Sequence, residues 1–267
     1  MNIINNNTKP INKILKIGYS LYASKKYRGN KILEYSKKEE LKSKNKCLLD
    51  NSSWFGNLEI AKSYKTKNTH IYKWKIKKIT KLFTINHKNE FFLKNIFANK
   101  NIKLTPSIKL SQKQIKTMNY NHPYLQMTNN EKAYFEFCFA FGYITLEEQY
   151  KFMKLIKYLI NNKFIEINTR EGKSIIRKIN MKINYYHLSK FFTKKEKYNR
   201  LSFYLFDKHA IMNFCRLVNN KKYNISGVYQ KNDKSFWFPD FIIYKMNIKE
   251  YILFNPHHNL IYDKVIE

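Results

Sequence analysis

The stretch His70-Ile71-Tyr72-Lys73-Trp74-Lys75-Ile76-Lys77-Lys78 decides the fold class. In an extended chain Tyr72, Trp74 and Ile76 fall on one face and Lys73, Lys75 and Lys77 on the other. Successive side chains of a strand point to opposite faces, so this period of two predicts a half-buried β-strand over 69–78. Working outward, Lys81 to Ile85 reads as another strand. On the N-terminal side, Leu15, Ile17, Tyr19 and Leu21 alternate within a strand running from Ile14 to Ser24. Residues 30–44, with Ile32, Leu33, Glu39, Glu40 and many lysines, read as a solvated helix. Between them, Asp50 to Gly56 reads as a turn holding Trp54 and Phe55. Asn57 is then placed to cap a short helix from Leu58 to Tyr64.

Helical patterns replace this alternation in the middle of the chain. Lys88 to Asn99 and the apolar Asn130 to Gly142 read as helices. Thr145-Leu146-Glu147-Glu148 is a capping box, in which hydroxyl and carboxylate satisfy free amides at a helix start. The helix that follows reaches about Asn161, with Tyr150, Met153, Ile156 (or Lys157) and Ile160 at helical spacing on a core-facing stripe. Strands are then expected at Ile179 to Tyr185 and Leu201 to Phe206. Asp207 is placed to cap a helix to about Val218. From Ile225 the chain reads as β-rich, and Pro239, which has no amide hydrogen, marks an edge or a bulge there. The organisation expected is a disordered lead over 1–12, the first half of an α+β core over 13–85, a mostly helical insertion over 86–170, and the second half of the core over 171–267.

Composition narrows the function classes. Hydrophobic residues make up 43% and aromatics 16% of 267 residues, which suits a folded core and excludes a disordered chain. The net charge of +32 attracts polyanions whatever the fold. Only five of the 51 basic residues are arginine, however, and specific base readers lean on that planar fork. Lys, Asn, Ile, Tyr and Phe are the residues of A/T-rich codons, so codon drift also accounts for the charge. Cys47, Cys138 and Cys215 are far apart and odd in number, which suggests neither a disulfide framework nor a metal knuckle. His257 and His258 stand side by side without a partner at zinc-finger spacing, and no metal site is expected. Six glycines leave no dinucleotide or P-loop fingerprint, and no HExxH, GxSxG or CxxC occurs. Without an apolar signal core or an 18-residue apolar run, the chain is expected to be intracellular and free of the membrane.

Four segments remain as an ordered set: Ser20-Leu21-Tyr22-Ala23-Ser24; Ser52-Ser53-Trp54-Phe55-Gly56 followed by Ala61 and Tyr64; Arg200-Leu201-Ser202 followed by Asp207; and Gly227-Val228-Tyr229 followed by Phe236-Trp237-Phe238-Pro239-Asp240. The set resembles the ADP-ribosyltransferase-like fold, in particular divergent members from large DNA viruses, over residues 14–85 and 175–255. The resemblance implies a split mixed or antiparallel sheet core with a helical insertion. It implies NAD or a related nucleotide as cofactor, and transfer of ADP-ribose to protein or nucleic acid in an active or degenerate form. It also implies host cytoplasm or virion as location. Tyr22 stands where the family has Arg or His, a departure that bears on activity. Ser53, Trp54 and Tyr64 take the second motif's cofactor-binding places, and Trp54 offers a ring face to nicotinamide. Asp240 takes the catalytic place, where a carboxylate stabilises positive charge developing on ribose. Arg28 and Arg200 are candidate phosphate contacts. The competing reading is a non-enzymatic basic protein that binds nucleic acid or packs in a virion, its Tyr and Phe residues serving as stacking platforms.

Overall fold

A computed structural model describes residues 9–26, 29–42, 52–165, 179–180, 183, 204–218, 223–237 and 243–267. The chain divides into two compact units, Met1–Phe92 with Cys215–Glu267, and Leu93–Phe214.

The first unit is built on one sheet. Its strands are β1 (Asn12–Leu15), β2 (Ser20–Lys25), β3 (Ser52–Gly56), β4 (His70–Ile76), β5 (Thr80–Thr84), β6 (Gly227–Trp237), β7 (Ile243–Phe254) and β8 (Leu260–Val265). They lie in the order β1-β5-β6-β7-β3-β2-β4-β8. Neighbours are antiparallel except β5 and β6, which pair in parallel with Phe83 opposite Val228, so the sheet is mixed. Helix α1 (Gly29–Lys42) follows β2, and α2 (Leu58–Ser63) follows β3.

The alternation in β4 holds. Tyr72, Trp74 and Ile76 are buried, while Lys73 and Lys75 are half-buried on the other face and bond to Asp263 at 3.3 and 3.2 Å. The buried face joins Leu21, Phe55, Tyr251 and Leu253 in one core, and Ile32 and Leu33 of α1 pack against it. Each fully buried side chain of this size contributes roughly 1.5–3 kcal/mol. The Trp74 indole NH donates to the Gly29 carbonyl at 3.2 Å, tying the start of α1 to the sheet.

Several sequence expectations are corrected. The strand expected over 14–24 is two strands. Gly18 adopts φ +83°, a conformation that favours glycine, and turns the chain between β1 and β2. Ser52–Gly56 is a strand and not a turn, because β2 and β7 pair with it on its two edges. Asn57 stands at the N-cap of α2, yet its side chain accepts no capping bond and donates to Glu59 instead. Ile179, Asn180 and Ile183 are helical, not extended; a short alternating run does not outweigh tertiary context. Residues 204–206 of the strand expected over 201–206 are helical, part of helix α8 (Tyr204–Val218), so Asp207 lies within that helix and not at its N-cap position. Cys138 is buried, and Cys215 is disulfide-bonded, which wide spacing in sequence conceals.

The second unit is helical. Helix α3 (Glu90–Phe97) leads into it, and α4 (Gln112–Thr117), α5 (Pro123–Gln126), α6 (Asn129–Phe141) and α7 (Leu146–Asn161) follow before α8. The box at Thr145 is present: the hydroxyl accepts from the Glu148 amide at 3.2 Å and the Glu148 carboxylate from the Thr145 amide at 2.8 Å. Two further boxes, Ser111 with Gln114 and Thr128 with Glu131, open α4 and α6. On α7 the buried face is Phe152, Met153, Leu155, Ile156 and Leu159, while Tyr150 and Ile160 stay half-buried at its edges. The Asn213 side chain and the Thr105 backbone exchange two hydrogen bonds, at 3.2 and 2.9 Å, which fasten α8 to the loop before α4. Among the described residues no helix is long and apolar enough to cross a membrane.

Candidate functional site

The first two motifs of the expected nucleotide site are strand neighbours. Tyr22 of β2 stands opposite Gly56 of β3, and opposite Lys73 on its other side. Directly opposed residues share a face, and alternation then puts Tyr22, Trp54 and Gly56 on one side of the sheet, away from the Phe55 core. Helix α2 covers part of this side. A Cβ built on Gly56 would meet the Ile60 side chain at 2.6 Å, so only glycine lets the helix approach this closely. Tyr22 and Trp54 are half-buried. Ser53 pairs with Leu253 of β7. Tyr64, at the C-cap of α2, is 65% exposed. Gly227, Val228 and Tyr229 open β6, which β7 separates from β3. Arg28, Arg200 and Asp240 lie outside the described residues.

A second cluster gathers at the far end of α1. The chain leaves β7 through Asn255, which adopts φ +47°, and makes a single 3-10 turn, Pro256–His258, before β8. Four bonds hold this turn: His258 N–H to Asn255 O and Asn259 N–H to Pro256 O, both at 3.0 Å, Lys77 N–H to Asn259 O at 2.9 Å, and Lys77 Nζ to His257 O at 2.7 Å. Both histidines thus face Glu40 in the last turn of α1. His257 Nε2 lies 2.8 Å from Glu40 Oε2, and His258 Nε2 lies 2.8 Å from Oε2 and 2.9 Å from Oε1. The two rings lie 4.1 Å apart. Behind them the buried Ser36 hydroxyl, one turn before Glu40, bonds to His257 Nδ1 at 2.8 Å. The His257 side chain is 12% exposed and that of His258 is 47% exposed, so the cluster runs from the interior to the surface.

The electrostatics follow from this placement. Burial pushes the Glu40 carboxyl up, but the hydrogen bonds and charges of His258 and His257 outweigh it and hold it below the ordinary carboxylate range. Burial, then the neighbouring His258, pulls His257 down against the opposing pull of Glu40, which favours a neutral imidazole. The cluster opens onto a groove of about 650 Å³ whose walls include Leu33, Lys37, Leu41, Lys77 and Tyr262. Sequence reading noticed the histidine pair and missed Glu40, because the third member lies on a helix 217 residues earlier. Its position three residues after Lys37 on an apparently solvated helix carries no local signal.

Compared with known proteins, the chain matches no family model, no curated protein and no solved structure.

Proposed function

We propose that the chain is an ADP-ribosyltransferase-like protein that binds NAD or a related nucleotide. The observation that supports this reading is the pairing of β2 with β3. It joins the Tyr22 and Trp54 motifs, separate in sequence, on one face of a mixed α+β sheet. NAD would bring the ADP-ribosyl group and a nicotinamide leaving group. In this reading Trp54 presents a ring to the flat heterocycle, and Asp240 stabilises positive charge developing at the ribose. Tyr22 in place of Arg or His removes a cation from that position, which favours weak turnover or binding alone.

The net charge of +32 supports a second reading, a basic protein that coats nucleic acid. Burial of the aromatics weighs against it. Trp74, Tyr124, Tyr251, Phe137, Phe139, Phe152 and Phe214 are all fully enclosed and offer no ring to a base.

Incubation of the purified chain with labelled NAD, beside Asp240→Ala and Trp54→Ala, separates the two. Label transfer lost in Asp240→Ala, or NAD binding weakened at least about tenfold in Trp54→Ala, is the expected result. Absence of NAD binding together with tight, strongly salt-dependent binding to any nucleic acid would favour the second reading.

A further inference from the structure

We propose that Glu40, His257 and His258 form a binding site for one divalent transition-metal ion, best suited to zinc, with a coordination position open to the adjoining groove. The site is independent of the nucleotide reading and uses none of its residues.

The donor set comes first. Two imidazole nitrogens and one carboxylate are the ligands of open, four-coordinate zinc sites, in which three protein atoms leave a position for water or a substrate. Imidazole nitrogen also favours zinc and its first-row neighbours over magnesium and calcium, which take oxygen. Here the three ligand atoms lie within 4.8 Å of one another. Zinc bonds of roughly 2.0–2.2 Å would set tetrahedral ligand atoms roughly 3.3–3.5 Å apart. The His257–Glu40 and His258–Glu40 spacings of 2.8 Å need to open by only about half an ångström, within the reach of side-chain torsions.

The support behind the ligands is the second argument. A metal-bound histidine characteristically bonds through its other ring nitrogen to a fixed partner, which sets ring orientation and tautomer. Ser36 Oγ stands at that place, buried, 2.8 Å from His257 Nδ1. A hydroxyl both donates and accepts, so it serves either tautomer. Without metal, His257 keeps its proton on Nε2, donates to Glu40, and accepts from Ser36. With metal, Nε2 gives its lone pair to the ion, the proton sits on Nδ1, and the imidazole donates to Ser36. One residue holds the ring through the exchange of a proton for a metal ion.

The third argument is access. His258 is half-exposed and the groove reaches the cluster from solvent, giving the ion an entry path and leaving one side of it uncovered. Lys37 and Lys77 line the same groove, so an anionic oxygen ligand is the kind that would complete the coordination.

The test is titration of the chelator-treated full chain with Zn²⁺ by calorimetry, and with Co²⁺ by visible absorption. The expected result is one ion per chain at micromolar or tighter Kd, with the intense visible bands of four-coordinate Co²⁺. His258→Ala and Glu40→Gln should weaken binding by more than the roughly 10–100-fold that loss of an outer partner costs, and Ser36→Ala should fall within that range. His70→Ala, an exposed histidine on β4, should leave it unchanged. Unfolding midpoints of the metal-free variants check that each is folded; the half-exposed His258 makes its variant the safest. Failure of the wild type to bind Zn²⁺ at micromolar concentration would overturn the proposal. So would binding that His258→Ala and Glu40→Gln leave intact. Neither outcome depends on NAD.

Discussion

Glu136 in the helical unit and Glu40 in the sheet unit are both carboxylates that gather several hydrogen-bond donors, but the donors differ in kind. Glu136 on α6 is fully buried. It accepts the Ser107 amide on both oxygens at 2.9 and 2.7 Å, the Ile108 amide at 3.3 Å and the Tyr124 hydroxyl at 2.6 Å. Backbone amides cannot leave, so this cluster is closed: it pins the loop before α4 and the helix α5 to α6. Glu40 faces two imidazoles on one side and a groove on the other. Imidazoles can exchange a proton for a metal ion, and amides cannot. The nature of the donors, more than the number of bonds, therefore separates a carboxylate that holds a fold from one that can hold a ligand.

The largest expected effect breaks the closed cluster. Glu136→Ala leaves a phenol and two amides buried without their acceptor, and should destabilise the chain by about 4 kcal/mol, since each orphaned buried donor costs roughly 1–3 kcal/mol. Urea unfolding measures it, and a loss under about 1 kcal/mol would mean that the amides find water. A smaller effect is expected from pH. Burial holds the Glu136 carboxyl above its ordinary range, and the bonds from Tyr124, Ser107 and Ile108 offset this in part. The folded chain therefore keeps this proton to higher pH than the unfolded chain. The associated stabilisation is complete below the unfolded value and is lost as pH rises through the folded one. Lys132, one turn before Glu136 on the same helix, and Tyr124 are the neighbouring titratable groups. Unfolding midpoints followed upward from the ordinary carboxylate range should decline in the wild type and flatten in Glu136→Gln; parallel slopes in the two would assign the dependence to other groups. The smallest effect belongs to Glu40→Gln. In the metal-free chain it should cost under about 1 kcal/mol, as partly exposed ion pairs do. Its consequence should show only with Zn²⁺ present, when the wild type gains thermal stability and the variant does not.

What the sequence disclosed follows the same line between local and distant causes. The strand at Tyr72, Trp74 and Ile76 and the capping box at Thr145 were legible because period and cap are written in neighbouring residues. Ser52 to Gly56 was misread because its composition is that of a turn, while its extended form comes from pairing with β2 and β7. Ile179 and Ile183 alternate with polar residues and are nonetheless helical. At the candidate centre His257 and His258 could be seen as a pair. Nothing beside Glu40 announces that α1 will bring it to them.

The parallel pairing of β5 with β6 has a consequence for how the protein is made. Thr84 and Gly227 end and begin the strands that meet there, and the whole helical unit is synthesised between them. β4 likewise borders β8, and β3 borders β7. During translation the first five strands emerge long before the partners that close their sheet, so pairing waits on contacts distant in sequence and is slow. Over that interval the unpaired edges of β3, β4 and β5 are open to a neighbouring nascent chain. Chaperone dependence and aggregation at high expression are the practical consequences expected of this wait.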